Sequence, residues 1–381
     1  MFGPTTPPRH TPPRTTTARA ALTAAAAFAL LAGCTSSTSP TTTGAPDDGT
    51  RAASSSTPSG SGTATDGTEV RLVTHESFDL PEALLAEFTA ETGYKLEFVR
   101  PGDAGAMVSQ LILTKNSPLG DAVFGIDNTF ASRAVAEGVL EPYTSPSAVA
   151  GIDDLDGHLT AIDQGDVCLN IDRLWFAENN VPEPTDLDDL IRPEYEGLTV
   201  ITNPATSSPG LAFLFATIAE FGESEGEYAG WQQYWSDLLA NGTRVADGWS
   251  DAYYVDFTPY EGDRPIVLSY SSSPAAEVQA DGTARTANVD ASCFRQVEYA
   301  GVLTGAENPE GARALVDWLL SVPVQEEIPG SMYMYPVDPD AQLPAEWAEF
   351  ASLSEDPLAL DPADIAANRD AWLQEWLALI G

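Results

Sequence analysis

The chain of 381 residues carries 57 acidic side chains against 17 basic ones, a formal net charge of -40. That balance excludes nucleic acid as a partner, since phosphate backbones call for clustered Lys and Arg, and Lys95 and Lys115 are the only lysines. The acids are spread along the chain as on a well-solvated surface, although their summed field would also favour a cationic ligand.

At the N-terminus, Arg9, Arg14 and Arg19 precede an apolar run, Ala20 to Leu31, and then Leu31-Ala32-Gly33-Cys34. The run is too short to span the roughly 30 Å hydrocarbon core of a bilayer. Its size and flanks suit a secretory signal. The order resembles a bacterial lipoprotein signal, which is cut before the Cys and lipidated on its thiol. Residues 1–33 are therefore predicted to be a signal peptide, and Cys34 a lipid anchor on the extracytoplasmic side of the cell membrane. Residues 34–68 hold almost no large apolar side chains and read as a flexible Ser/Thr/Pro tether.

Folding is predicted to start near Glu69, and residues 69–381 are too many for one typical core, which implies two domains. Glu69 to Thr74 reads as a strand. Pro81 to Thr92 has helical spacing of Leu84, Leu85 and Phe88, with Pro at the first turn and Gly93 as a stop. Tyr94 to Val99 is a second strand, Ala106 to Thr114 a helix, and Ala122 to Ile126 a short apolar run typical of a buried strand. Further strands are predicted at Val167 to Ile171, Leu198 to Ile201, Ile266 to Tyr270 and Phe294 to Ala300. Helices are predicted at Gly210 to Phe221, Tyr228 to Ala240, Pro309 to Leu320 and Pro362 to Ile380. Strands alternating with helices give an α/β fold.

Familiar enzyme signatures are missing: there is no phosphate loop, His-Glu-x-x-His, Gly-x-Ser-x-Gly elbow or dinucleotide fingerprint. After processing only His75 and His158 would remain as histidines. Cys168 and Cys293 form an even pair, which in an oxidising compartment reads as a disulfide, the alternative being two buried thiols. That leaves no Cys/His set for zinc.

Two hydroxyl-rich segments precede helices, Ser207-Ser208-Pro209-Gly210 and Ser271-Ser272-Ser273-Pro274. Each is either an ordinary cap or a helix start that holds a polar ligand group. Trp249, flanked by Gly248 and Ser250, together with Tyr253, Tyr254, Tyr270, Tyr333 and Tyr335, offers rings for stacking on a planar or cationic ligand. Trp231, Trp235, Trp372 and Trp376 have the helical spacing of core packing. Asp103, in a glycine-rich loop, is either an N-cap or a carboxylate facing an amino group.

With these segments in view, residues Val70 to Ile380 resemble the substrate-binding proteins of bacterial thiamine ABC transporters. The matching stretches are Thr74-His75-Glu76-Ser77-Phe78, Gly125-Ile126-Asp127-Asn128, Asn203 to Leu211, Gly248 to Tyr253, Leu268 to Pro274 and Met334-Tyr335-Pro336-Val337. The resemblance implies a two-lobed periplasmic-binding-protein fold of type 2, with a ligand cleft between lobes joined by two crossover strands. Residues 69–165 and 296–381 would form one lobe and 166–295 the other, which puts Cys168 and Cys293 at the crossings.

It also implies binding without catalysis, with no cofactor, thiamine or its phosphates as ligand, an ABC permease as partner and a monomeric state. The implied ligand residues are His75, Asp103, Ala104, Ser207, Ser208, Trp249, Tyr253, Tyr270, Ser271, Ser272, Ser273 and Tyr333. Three positions depart from the family pattern: His75 and Ala276 replace Tyr, and Tyr333 replaces Trp. Rival readings are an iron(III) protein using Tyr253/Tyr254 or Tyr333/Tyr335, a polyamine or phosphonate receptor, and a thiamine-degrading enzyme with a nucleophilic Cys.

Overall fold

The computed structural model describes residues 68–223 and 230–381. The predicted signal peptide, Cys34 and all of the tether but Thr68 lie outside the described residues.

Ten strands form one sheet: β1 (Glu69–Thr74), β2 (Lys95–Val99), β3 (Ala122–Asp127), β4 (Leu140–Glu141), β5 (Thr160–Asp172), β6 (Thr199–Thr202), β7 (Arg244–Ala246), β8 (Ile266–Tyr270), β9 (Thr286–Leu303) and β10 (Tyr335–Pro336). The order is β2-β1-β3-β9-β5-β8-β6-β7, with β4 on β9 and β10 on β5. β2, β1 and β3 are mutually parallel, as are β8, β6 and β7. Between these halves run β9 and β5, antiparallel to each other and to their neighbours.

β5 and β9 are the crossover strands. The first part of β5 pairs with β10 and with the end of β9, and its last part pairs with β8. Two lobes joined by two long strands are the expected type 2 architecture. Both strands run well beyond the predicted apolar stretches, because their extra length is polar and its partners lie across the ladder. Asp166 pairs with Arg295, Asn170 Nδ2 donates to Asn288 Oδ1 at 2.6 Å, and Arg285 grips Asp172 with two nitrogens at 2.7 and 3.2 Å. A disulfide joins Cys168 of β5 to Cys293 of β9.

Helices flank the sheet, close to where periodicity places them. The first covers Glu82–Thr92 and ends at Gly93, whose φ of 78° suits a residue without Cβ. The helix Ser208–Phe221 is buried over most of its length, as expected for one packed against a sheet and a second helix. Trp231 and Trp235, on the helix Trp231–Ala240, are fully buried. The last helix, Pro362–Ile380, sets Trp376 edge-on to Trp235 at 5.6 Å and Trp372 edge-on to Phe215 at 5.7 Å. It also lays Arg369 over the ring of Phe130 at 4.6 Å, so this one helix touches elements of both halves.

Candidate functional site

A cavity of about 320 Å³ opens where the two halves of the sheet face one another. Its wall is built from the ends of parallel strands and the starts of helices, the usual place for a ligand in an open α/β sheet. His75 follows β1, Asp103 and Ala104 start the helix Ala104–Leu113, and Ser208 and Pro209 start the helix Ser208–Phe221. Trp249, Ser250 and Tyr254 come from the segment after β7, Tyr270 from the end of β8, Glu298 from β9, and Tyr333 and Met334 from the turn before β10.

Of the twelve residues singled out in the sequence, seven line this cavity: His75, Asp103, Ala104, Ser208, Trp249, Tyr270 and Tyr333. The other five stand behind it. Tyr253 is buried, stacks face to face on Trp249 at 4.9 Å and donates its hydroxyl to Glu277 at 2.8 Å. Ser273 Oγ lies 2.9 Å from Ser269 Oγ, which in turn accepts from Trp249 Nε1 at 2.9 Å. Ser272 Oγ donates to the carbonyl of Tyr333. That contact holds a tyrosine whose φ of 58° is unusual for a residue with a Cβ. Ser271 is buried, and its N–H donates to Asp166 O at 2.8 Å. Ser207 is the N-cap residue of its helix and fully buried, yet its side chain closes no capping bond.

Trp249, between Gly248 and Ser250, opens a short helical turn, Trp249–Asp251, and is only 7 % exposed. One face is covered by Tyr253. Tyr254, Tyr333 and Tyr270 surround it at 5.3, 6.2 and 6.3 Å between ring centroids, respectively. The turn runs directly into a π-helical turn, Ala252–Asp256. This extra residue per turn brings Tyr254 to the cavity wall, a placement ordinary helical spacing does not give. Ala276, where the family pattern has Tyr, is not a lining residue.

The electrostatics are one-sided. Asp79, Asp103 and Glu298 line the cavity, with no Lys or Arg among the lining residues. Burial pushes the Asp103 carboxyl above its usual range, against the pull of N–H donors from Ala104 and Trp249. Burial, with the charge of Asp127 next, pushes Glu298 up to about 8. His75 is held down to about 4, first by burial and then by Arg100, so it is neutral at pH 7 and adds no positive charge. Its ring lies over Gly125, where a Cβ would sit 2.2 Å from the ring, which explains the glycine of the Gly125-Ile126-Asp127-Asn128 stretch. The hydroxyl of Ser208 is near enough to Asp127 to ease its ionisation, but closes no hydrogen bond of normal geometry.

Glu298 was missed in the sequence, and Tyr254, noted there as a stacking ring, was not among the implied ligand residues. A glutamate at an alternating position of a strand otherwise expected to be buried was the available signal for Glu298. Among the described residues no cluster of three or more His, Cys, Asp or Glu is arranged to hold a metal ion. Likewise, none of the described helices is long and apolar enough to cross a membrane.

The family model of bacterial extracellular solute-binding proteins matches residues 117–358. The chain is 29 % identical over 300 residues to a thiamine-binding periplasmic protein of Brucella suis, covering 76 % of this chain and 84 % of that one. It is 28 % identical over 297 residues to the thiamine-binding periplasmic protein of Escherichia coli, covering 76 % and 85 %. Its structure is similar to that of a periplasmic thiamin binding protein, with a TM-score of 0.71 at 26 % identity over 82 % of this chain and 96 % of the other. An apo ferric ion-binding protein A of Pasteurella haemolytica shares the fold at a TM-score of 0.61 and 17 % identity, covering 82 % and 98 %.

Proposed function

The chain belongs to the bacterial extracellular solute-binding proteins, and from that premise we propose that it captures thiamine, or a thiamine phosphate, outside the cytoplasm and delivers it to the permease of an ABC transporter. One observation carries the choice of solute. The cavity joins aromatic walls to carboxyls, with no Lys or Arg among its lining residues, and thiamine is a two-ring cation. Trp249, Tyr254, Tyr270 and Tyr333 would stack on or face its rings and charge. Asp103 would take the amino group of the pyrimidine. The start of the helix Ser208–Phe221 would meet the hydroxyethyl or phosphate end, where unpaired N–H groups and the dipole favour oxygen ligands.

Binding without chemistry is part of the same proposal. Cleavage of thiamine needs a free thiolate, and both described cysteines are joined in a disulfide. We assign residues 69–165 and 296–381 to one lobe and 166–295 to the other, closing on the solute as a clam. Cys34 would tether a monomer to the membrane within reach of its permease. Calorimetry with thiamine and its monophosphate, alongside native mass spectrometry of the purified protein, tests the reading. A stoichiometric complex is expected, and failure of both solutes to bind sinks it.

Iron(III) is the second reading, favoured by two phenols, Tyr254 and Tyr333, on the cavity wall. The pairs considered from sequence do not both reach the wall. The Tyr253 hydroxyl is engaged by Glu277, and Tyr335 packs edge-on to Trp347 at 4.7 Å. A charge-transfer colour on adding iron would favour this alternative.

A further inference from the structure

Glu298 stands in the middle of a row of three acids that crosses the sheet beneath the cavity. Its register partner on β3 is Asp127 and on β5 is Asp163. Asp127 and Asp163 are fully buried, while Glu298, 5 % exposed, is the one that lines the cavity. Asp127 Oδ1 accepts from the N–H and hydroxyl of Thr129 and the N–H of Phe130. Asp163 finds no donor for either oxygen.

Glu298 Oε1 accepts from Gln296 Nε2 at 3.2 Å, and His75 Nε2 lies 3.9 Å away. The other titratable groups that act on this row include Tyr270 from β8, Asp103 from the facing loop and Tyr299 from β9. Arg100 acts on His75 and Arg369 on Asp127.

Two ionised carboxylates side by side in a buried site repel, and neither can donate a hydrogen bond to the other. A buried oxygen with no donor is costly. One proton held between Asp163 and Glu298 removes the repulsion and gives one Asp163 oxygen a partner, and neutral His75 is not its source of charge balance. The position matters too, since the two acids lie on the two crossover strands, at the floor of the cavity and at the joint between the lobes.

We propose that Glu298 is a ligand-contacting carboxyl whose proton, shared with Asp163 in the empty protein, passes to solvent when a cationic solute enters, so that capture of the cation is coupled to release of one proton. The solute's positive charge then takes over the balancing role of the proton, and Glu298 becomes an anion beneath it. This deepens the thiamine reading and rests on it. The titration of the pair agrees in direction: burial and then the charge of Glu298 push Asp163 well above the usual carboxylate range, and Glu298 itself stands at about 8. Linkage then makes affinity rise with pH, by up to about tenfold per pH unit below the pair's upper titration.

The test is calorimetry of the full mature chain with thiamine at pH 6, 7 and 8, in phosphate and in Tris, whose ionisation heats differ. Expected are buffer-dependent heats that report release approaching one proton at pH 7, and affinity that rises from pH 6 to pH 8. Glu298→Gln, which keeps the shape of the protonated acid but has no proton to lose, should abolish both effects. Asp163→Asn, which removes the neighbouring charge, should move the pH profile to lower pH. Thiamine binding with equal heats in the two buffers and a flat pH profile overturns the proposal while leaving the thiamine reading intact. So does a Glu298→Gln protein that still releases the proton. Should Glu298→Gln fail to fold by circular dichroism, an unshifted profile in Asp163→Asn overturns it instead. Absence of thiamine binding at every pH overturns the reading itself, and the proton coupling with it.

Discussion

The backbone N–H of Trp249 donates to Asp103 Oδ2 at 3.0 Å, across the cleft from one half of the molecule to the other. The same carboxylate accepts from Ala104 N through its other oxygen at 2.6 Å. Ser77 Oγ and Ser250 Oγ approach to 3.3 Å alongside, and Ala106 N donates to Thr206 O at 3.1 Å. A Cβ on Gly105 would come within 2.7 Å of the Thr206 backbone, so the two sides meet closely here. Asp103 therefore latches the two sides together while also lining the cavity. Asp103→Ala is expected to weaken thiamine binding by about 1.5–3 kcal/mol, the range for a hydrogen bond to a charged group, and to expand the ligand-free protein in X-ray scattering. Asp103→Asn keeps an acceptor and should lose less. Unchanged scattering and affinity in the alanine variant would remove the latch.

Trp249 is held from behind by Tyr253 and at its edge by Ser269, which leaves its other side to the cavity. Its truncation to Ala should lower thiamine affinity by at least about tenfold, 1.4 kcal/mol. Because the ring is so well packed, stability should fall as well, by about 3–5 kcal/mol as for other buried Trp truncations. Ser273→Ala supplies the contrast. Ser273 Oγ meets Ser269 and the Tyr270 N–H behind the cavity wall, so thiamine affinity is expected to fall less than threefold. Calorimetry on both variants separates a wall residue from its support.

The two variants also mark what the sequence discloses. Trp249 and Tyr253 stand four apart, and helical spacing alone would have set one ring on the other, but flanking Gly248 and Ser250 read as loop. The serine triplet reads as ligand-facing because hydroxyls before a helix are ambiguous between capping and binding. Only tertiary packing turns Ser272 toward Tyr333 and Ser273 toward Ser269. The parallel strands β1 and β8 were legible to the residue because they are short, apolar and bounded by turns. β5 and β9 were legible only in part, at Val167 to Ile171 and Phe294 to Ala300. Asp163, Asp166, Asn170 and Asp172 break the hydrophobic run, and Arg295, Asn288 and Arg285, far off in sequence, accommodate the last three, which no local pattern reveals.

Those buried polar partners predict how the ligand-free protein responds to pH. Acids whose carboxyls titrate higher when folded bind protons more tightly in the native state. Their contribution is complete below their unfolded values and is lost as pH rises through the folded ones. Asp127 at about 6 and Glu298 at about 8 are such groups, so stability should decline as pH climbs from about 4.5 toward 8.

Asp172 has the opposite sign. Burial alone would raise it, but Arg285 and Thr258 outweigh burial and hold it below the usual range. Its contribution is present above the unfolded value and is lost as pH falls through the folded one. Thermal melts of the empty protein should therefore peak on the acid side of neutrality. A melting temperature that rises steadily from pH 5 to pH 8 would contradict this.

The disulfide sits where the crossover ladder slips. Val167 pairs with Phe294, but Leu169 pairs with Val289, so residues 290–293 of β9 bulge opposite Cys168. Ser292 Oγ accepts from Leu169 N at 2.8 Å and donates to Val289 O at 2.6 Å, filling the gap left in the ladder. Cys293 closes the bulge by bonding to Cys168, and its carbonyl accepts from Leu358 N at 2.8 Å. The bond spans 125 residues of sequence, so it removes a long loop's freedom from the unfolded chain, an effect typically worth about 2–4 kcal/mol. A Cys168→Ala, Cys293→Ala double variant should fold, because Ser292 still satisfies the ladder, but should unfold at lower denaturant by that amount. Reductant should lower the midpoint of the native protein and leave the variant unmoved. Equal midpoints for the native protein with and without reductant, once thiol counting shows the bond broken, would mean that hydrogen bonds alone hold the crossing.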